Sequence, residues 1–191
     1  MVPEQALIEQ LKRGDEAAFK LIVEQWKDMV YNTSLGIVQN ETEAEDITQD
    51  VFIRVFESIS SFKGESKFST WLYRIAVTKS LELLRSKKRK KRFAFLQPLL
   101  GNETADSLQP ADFQHPGVAL DNKERSVQLF KAIDKLPDNQ KAAFILHKLE
   151  GISYKEVSEI LGTTVPAVES LMNRAKNNLR KHLEEFYRSN R

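Results

Sequence analysis

The sequence predicts an all-helical (all-α) fold of two small helical domains joined by a flexible linker. Apolar residues recur at spacings of three and four along most of the chain, and strand-like alternation is nearly absent. This periodicity stops over residues 93–122, which contain three prolines and several amide and acidic side chains. We therefore expect a domain over 1–92, a linker over 93–122 and a second domain over 123–191.

Capping signals predict where helices of the first domain begin. Asp15 precedes one apolar stripe, Thr42 with Glu45 forms a capping box before a second, and Ser69 precedes a third. The second of these helices is expected to bury four apolar residues spaced by four: Ile47, Val51, Val55 and Ile59.

The distribution of charge is more informative than the net charge of +2. Residues 1–61 carry 5 basic and 12 acidic side chains, whereas residues 62–92 carry 11 basic and 2 acidic side chains. A solvated surface is the simplest explanation of scattered charges. A compact basic block is instead typical of a nucleic-acid contact, and the acidic block before it suggests a second, different partner.

Several classes of protein are disfavoured by composition. The chain has no cysteine, so disulfides and cysteine-based zinc sites are excluded, and His115, His147 and His182 lack a metal-ligand spacing. No apolar run is long enough for a membrane span, and the N-terminus does not read as a signal peptide. Neither a phosphate-binding glycine loop nor a nucleophile with its base is evident, so we expect no cofactor, no metal and no enzymatic activity.

The C-terminal segment 153–176 has the pattern of a helix-turn-helix. Ser153 and Glu156 form a capping box, Gly162 ends the first helix, and Thr163 or Thr164 can cap a second helix with Pro166 in its first turn. A plain helical hairpin would give the same pattern. The outer face of the second helix can reach base edges and phosphates in a major groove through Ala167, Glu169, Ser170, Asn173, Arg174 and Lys176.

Two segments of the first domain offer further surfaces. Residues 46–57 set acidic groups and an apolar Ile53 opposite the buried stripe, which suits a protein interface, although an ordinary solvated face is the alternative. Residues 62–79 interleave aromatic and basic side chains, as contacts with unpaired DNA require. The alternative for Phe68 and Trp71 is a place in the hydrophobic core, which we favour for Trp71.

Residues 46–56, residues 62–76 and the C-terminal run from Leu136 to Ala175 resemble signature segments of the extracytoplasmic-function (ECF) group of bacterial sigma factors, in the sigma-70 family. The resemblance covers nearly the whole chain. It implies a factor that binds core RNA polymerase, directs it to specific promoters and helps to open promoter DNA. The implied contacts with the polymerase clamp helices are Asp46, Gln49, Asp50, Ile53 and Arg54.

The resemblance also implies two DNA sites and further partners. The minus-ten site would use Lys63, Ser66, Lys67, Phe68, Arg74, Thr78 and Lys79. The minus-thirty-five site would use Thr164, Pro166, Ala167, Glu169, Ser170, Asn173, Arg174 and Lys176. The linker is expected to thread the polymerase active-site and RNA-exit path. The polymerase surfaces that the protein is expected to contact are the clamp helices and the flap. Regulation by an anti-sigma factor and a cytoplasmic location, with tethering to the inner membrane through that factor, are also implied.

The chain departs from the family pattern at Thr78 and Glu82, where the family often has Asn and Asp. These departures affect the expected minus-ten preference and not the fold. Two other classes remain open: a free-standing transcription regulator that binds DNA alone, and a helical adaptor that binds no DNA. A helical adaptor that binds no DNA would not explain the basic block over residues 62–92.

Overall fold

The computed structural model of the chain describes residues 3–96 and 123–189. Within these ranges all regular structure is helical, which confirms the predicted fold class. A 3-10 turn at Ile59–Ser61 follows the third helix, and a π-helical turn at Ile145–Leu149 follows the sixth. The α-helices are α1 (Glu4–Lys12), α2 (Glu16–Val38), α3 (Glu41–Ser58), α4 (Phe68–Leu96), α5 (Lys123–Asp134), α6 (Asp138–Phe144), α7 (Tyr154–Leu161) and α8 (Val165–Ser189).

The N-terminal domain is a bundle in which α2, α3 and α4 pack against one another and α1 packs against α2. Burial of one apolar stripe on each amphipathic helix supplies most of its stability. The predicted stripe on α3 is confirmed, since all four of its residues are buried: Ile47, Val51, Val55 and Ile59.

Two of the predicted helix starts needed correction. Asp15 caps α2 as expected, accepting hydrogen bonds from the backbone N–H groups of Ala17 and Ala18 at 2.8 and 3.2 Å. The start of α3, however, is capped by Asn40, whose extended backbone lets its side chain accept from Glu43 N at 2.9 Å, so the Thr42 capping box is wrong. Likewise α4 begins at Phe68, which places Ser69 inside the first turn and not at the cap.

The C-terminal domain is built around α8, which packs against α5, α6 and α7. The predicted capping box is present, since Ser153 Oγ accepts from Glu156 N at 3.2 Å. Gly162 has a φ of 62°, the left-handed conformation that ends α7 at little cost for glycine. The chain therefore turns tightly into α8, as a helix-turn-helix requires.

The two domains lie against each other. Helix α7 packs on α4, and Gln39 Nε2 donates a 3.0 Å hydrogen bond to the carbonyl oxygen of Phe130 in α5. Helix α4 continues to Leu96, four residues beyond the expected boundary at 92. The remainder of the predicted linker, 97–122, lies outside the described residues, so its path stays a prediction.

Candidate functional site

Helix α3 presents its expected polar face to solvent. All five residues predicted to contact polymerase are exposed on this helix, and Ile53 is 57% exposed, unusually high for an isoleucine. Sequence reasoning missed Phe56 as part of this surface. Its ring is 46% exposed and meets Phe19 edge-on at a centroid distance of 5.2 Å. The sequence alone could have indicated this, because Phe56 is an apolar residue that lies outside the predicted buried stripe of α3.

An open groove of about 1240 Å³ separates this α3 face from α4. Its α3 wall carries acidic side chains and its α4 wall carries mostly basic ones. Two ion pairs join α4 to α3 beside it: Lys79 Nζ lies 3.2 Å from Asp50 Oδ2, and Lys87 pairs with Glu43. The predicted protein-binding and DNA-binding surfaces are thus adjacent and share this groove. The charged residues lining it are Glu43, Asp46, Asp50, Lys79, Glu82, Arg85, Lys88, Arg89 and Arg92.

The predicted minus-ten residues occupy the loop before α4 and the outer face of that helix. Lys63, Ser66 and Lys67 are at least partly accessible in the loop, as are Arg74, Thr78 and Lys79 on α4. Arg74, Thr78 and Glu82 are spaced by four and exposed, so they form one stripe. The same face continues toward the end of the helix through the exposed Arg85, Arg89 and Arg92.

Phe68 is the exception among the predicted DNA contacts. Its side chain is 1% exposed and lies in an aromatic cluster, with ring centroids 6.2 Å from Trp26, 5.6 Å from Phe62 and 5.7 Å from Trp71. A ring enclosed in this way cannot stack on a base. The expectation that Phe68 touches DNA is therefore corrected: it holds the start of α4 against α2.

Two of the remaining minus-ten residues, Lys67 and Arg74, contact the C-terminal domain. Lys67 Nζ lies 2.7 Å from Glu156 Oε1, and Arg74 Nη2 donates to the carbonyl oxygen of Glu159 at 2.6 Å. The hydroxyl of the buried Tyr73 also donates to the C-terminal domain, at 3.2 Å from Glu150 Oε2. Sequence reasoning missed this contact, which joins residues 77 to 89 positions apart.

The electrostatics of this contact differ between its centre and its edge. Burial raises the pKa of the Glu150 carboxyl, although the hydrogen bond from Tyr73 opposes that shift. Burial, reinforced by the Glu150 charge, also raises the pKa of the Tyr73 phenol. At the exposed edge, the hydrogen bond from Lys67 lowers the pKa of Glu156, assisted by one from Ser153. The centre thus disfavours charge, whereas the edge is a solvated ion pair.

The outer face of α8 presents the residues predicted for duplex recognition. Glu169, Asn173, Arg174 and Lys176 are exposed, and Arg174 Nη2 donates to Ser170 Oγ at 2.8 Å. Thr164 caps the helix, with its Oγ1 3.4 Å from Ala167 N. The structure therefore brings the whole predicted set to one end and one face of α8: Thr164, Pro166, Ala167, Glu169, Ser170, Asn173, Arg174 and Lys176.

Residues 3–96 and 123–189 hold neither a candidate metal site nor a candidate membrane-spanning helix. These residues contain no group of three or more His, Cys, Asp or Glu side chains placed to hold an ion. No helix among them combines the length and the apolar composition needed to cross a bilayer. His115 lies outside the described residues.

Each of the two domains matches a known protein family model. Residues 22–90 match the family model for sigma-70 region 2, and residues 126–179 match that for sigma-70 region 4. The chain is similar to the ECF RNA polymerase sigma factor SigW of Bacillus subtilis, with 37% identity covering 94% of this chain and 96% of that protein.

Two solved structures share the fold. CnrH, solved in complex with the cytosolic domain of CnrY, has a TM-score of 0.67 at 20% identity and covers 95% of this chain and 97% of its own. The sigma factor RpoE of Bartonella quintana, solved with the anti-sigma factor NepR, has a TM-score of 0.64 at 22% identity, covering 87% and 96%.

Proposed function

The chain belongs to the ECF RNA polymerase sigma factors, and on that premise we propose how its surfaces bind polymerase, select a promoter and open it. The observation that carries the proposal is the coincidence of two matched regions, 22–90 and 126–179, with two helical domains. The first of these domains has an acidic block over 1–61 followed by a basic block over 62–92. The protein is a transcription initiation factor that binds core polymerase and directs it to promoters.

The exposed face of α3 is the proposed contact with the polymerase clamp helices. Its carboxylates would repel DNA phosphates, so nucleic acid is a poor partner for it. The exposed Ile53 and Phe56 supply the apolar area that protein interfaces bury at their centre. The contact set is Asp46, Gln49, Asp50, Ile53 and Arg54, with Phe56 added from the structure.

The loop before α4 and the first half of α4 are the proposed site for the non-template strand of the minus-ten element. Lys63, Lys67, Arg74 and Lys79 would neutralise phosphates, and Ser66 would donate a hydrogen bond. Extruding a base costs a few kcal/mol, which these contacts would have to offset. Phe68 serves this site indirectly by fixing the loop.

Thr78 and Glu82 bear on which minus-ten sequences are preferred. Both are exposed one turn apart on the stripe that begins at Arg74, so they would face the same strand. A threonine hydroxyl offers one hydrogen-bond donor where an asparagine amide offers two, and glutamate reaches further than aspartate. We therefore expect a minus-ten preference that differs from that of relatives with Asn and Asp.

The second half of α4 extends the proposed contact onto duplex DNA upstream of the opened segment. Arg85, Arg89 and Arg92 continue the Arg74 stripe at spacings of four and three. At about 1.5 Å per residue, Arg92 lies ~27 Å along the helix from Arg74, a distance of roughly eight base pairs of duplex. Arginines on an exposed helix suit phosphate contacts without base specificity.

The outer face of α8 is the proposed reader of the minus-thirty-five element. Ser170 and Asn173 would contact base edges, while Arg174 and Lys176 would contact phosphates. Thr164, Pro166, Ala167 and Glu169 would line the end of the helix that enters the groove, as the N-terminal end of a recognition helix does.

The chemistry of RNA synthesis belongs to the polymerase, so the proposed role needs no catalytic residue, cofactor or metal in this chain. The relative RpoE was solved with an anti-sigma factor. We propose that an anti-sigma factor or another regulator binds this chain and holds it inactive, that the chain acts in the cytoplasm, and that an anti-sigma factor can tether it to the inner membrane.

Binding of purified core polymerase tests the proposal and separates the three classes of protein. A sigma factor is captured by core polymerase and then supports run-off transcription from a library of genomic fragments, at start sites that share minus-ten and minus-thirty-five sequences. A free-standing regulator instead binds duplex DNA tightly by itself. An adaptor does neither, and failure to bind core polymerase contradicts the proposal.

A further inference from the structure

We propose that the polybasic end of α4, residues 85–93, binds the surface of an anionic lipid bilayer in the free chain. Such a contact lies on the bilayer and needs no spanning helix. It gives a partner to an exposed aromatic side chain and to lysines that the proposed DNA contacts leave unused. Only the choice of lipid over nucleic acid rests on the function proposed above.

The first step is the number of cations that remain available at this end of the helix. Residues 85–93 contain seven basic side chains and no acidic one. Lys87 is paired with Glu43, and Lys88 is paired with Asp138. The other five are exposed, and within the described part of the chain none of them is ion-paired: Arg85, Arg89, Lys90, Lys91 and Arg92. Clusters of this size on a helix are typical of segments that bind anionic lipids.

The second step is the position of Phe93, whose side chain is 70% exposed. Because an α-helix has 3.6 residues per turn, Phe93 lies on the same face as Arg89 and Lys90, one turn further on. Glu43, in the first turn of α3, pairs with Lys87, so the end of α4 extends past the start of α3. Helix α3 therefore leaves Phe93 uncovered, and this face combines an apolar ring with neighbouring cations.

The third step distinguishes a bilayer from nucleic acid as the partner. At about 1.5 Å per residue, Phe93 lies ~28 Å along α4 from Arg74, where the proposed contact is with duplex DNA. Stacked base pairs offer no free face to an aromatic ring, and the arginine stripe that would follow the duplex includes neither Lys90 nor Phe93.

A bilayer surface uses both kinds of side chain. Cations bind the lipid head groups, while an aromatic ring enters the boundary between head groups and acyl chains. The sequence at the end of α4 suits that boundary, because its last four residues are two phenylalanines, an alanine and a leucine, without a charge.

The expected binding is reversible and competes with promoter binding. Each cation near an anionic bilayer strengthens binding roughly fivefold, and insertion of one ring adds a further factor of about ten. Arg89 and Arg92 also belong to the proposed duplex contact, so a promoter-bound chain cannot hold lipid through them. The bilayer thus concentrates the free chain at the membrane, beside an anti-sigma factor held there.

Variants of exposed residues outside the proposed DNA and polymerase contacts test this surface. Phe93→Ala removes the ring at constant charge, and Lys90→Ala/Lys91→Ala removes two cations from the polybasic end. Arg180→Ala/Lys181→Ala removes the same charge from exposed positions of α8 and serves as the matched control.

Two measurements on the full chain give the readout. Co-sedimentation with vesicles reports lipid binding: equal parts of phosphatidylglycerol and phosphatidylcholine present an anionic surface, and phosphatidylcholine alone presents a neutral one. Fluorescence anisotropy of a short labelled DNA duplex, at the same salt concentration, reports nucleic-acid binding by the same proteins.

We expect the parent to bind the anionic vesicles and not the neutral ones. Phe93→Ala should weaken vesicle binding about tenfold and leave duplex binding unchanged. The double lysine variant should weaken vesicle binding on the order of twentyfold, and clearly more than the control pair does.

The proposal is overturned if the parent does not sediment with anionic vesicles, if Phe93→Ala sediments as the parent does, or if the control pair weakens binding as much as the lysine pair. Equal losses of vesicle and duplex affinity in Phe93→Ala also overturn it, because this face would then be a nucleic-acid contact. Failure of core polymerase to capture the chain instead contradicts the proposed function and leaves the vesicle result standing.

Discussion

Replacing Phe68 separates a role in the core from a role in DNA contact. Phe68→Ala removes a ring that is 1% exposed and enclosed by three other aromatic rings. Truncating a buried phenylalanine to alanine costs about 3–5 kcal/mol, because apolar burial is lost and a cavity remains. That is a large share of the ~5–15 kcal/mol by which a typical domain is stable.

Tryptophan fluorescence offers an assay confined to the affected domain. The chain has two tryptophans, Trp26 and Trp71, and both lie in the N-terminal domain in contact with Phe68. With a urea dependence of about 1–3 kcal/mol per molar, we expect Phe68→Ala to lower the unfolding midpoint by on the order of 2 M. Phe68→Leu leaves a smaller cavity and should lower it clearly less.

Promoter opening by the leucine variant then distinguishes the two roles of Phe68. Under conditions where Phe68→Leu remains folded, its complex with core polymerase should open promoter DNA as the parent does. A leucine variant of near-parental stability that no longer opens the promoter would refute the core assignment and restore Phe68 as a DNA contact.

Three further predictions address the other surfaces. The double variant Asp50→Ala/Arg54→Ala should bind core polymerase more weakly at unchanged helicity by circular dichroism, and unaltered affinity would contradict the α3 contact. Burial raises the pKa of Glu150 in the folded chain, so the contribution of this carboxyl to stability is present below its ordinary pKa of about 4.5 and is lost as the pH rises through the folded value. Glu150→Gln should therefore be more stable than the parent against urea at pH 7, and the two proteins should be about equally stable near pH 4. Equal stability of the two proteins at both pH values would contradict a cost of burying this carboxylate. Within the polymerase complex, Ser170→Ala and Asn173→Ala should each relax minus-thirty-five base preference by about 1–3 kcal/mol in competition binding, and an unchanged preference would remove them from the recognition set.

Local sequence patterns predicted several helix ends correctly but misplaced the starts of α3 and α4. The Ser153 box and the Gly162 turn depend on neighbouring residues, and both are present. The start of α3 was misplaced because two residue types that favour caps, Asn40 and Thr42, lie close together. Which of them caps depends on the backbone conformation, and only Asn40 has the extended conformation with an accepting side chain.

The site was predicted less completely because its decisive contacts are distant in sequence. The interleaved aromatic and basic residues near Phe68 fit both a core and a stacking surface, and the contact with Trp26 on another helix distinguishes them. The pairing of Lys67 with Glu156 spans 89 positions and depends on how two domains pack. Helical periodicity identifies which faces are buried within a domain and carries no information about such pairings.

Permanganate footprinting of a promoter identified by run-off transcription tests the sigma-factor assignment most directly. We expect thymines of the minus-ten element to become reactive only when this chain and core polymerase are both present, since strand separation needs both sets of contacts. Reactivity should fall when Lys63 and Arg74 are replaced together by alanine. Unreactive thymines with both proteins present, or tight promoter binding by the free chain alone, would contradict the assignment.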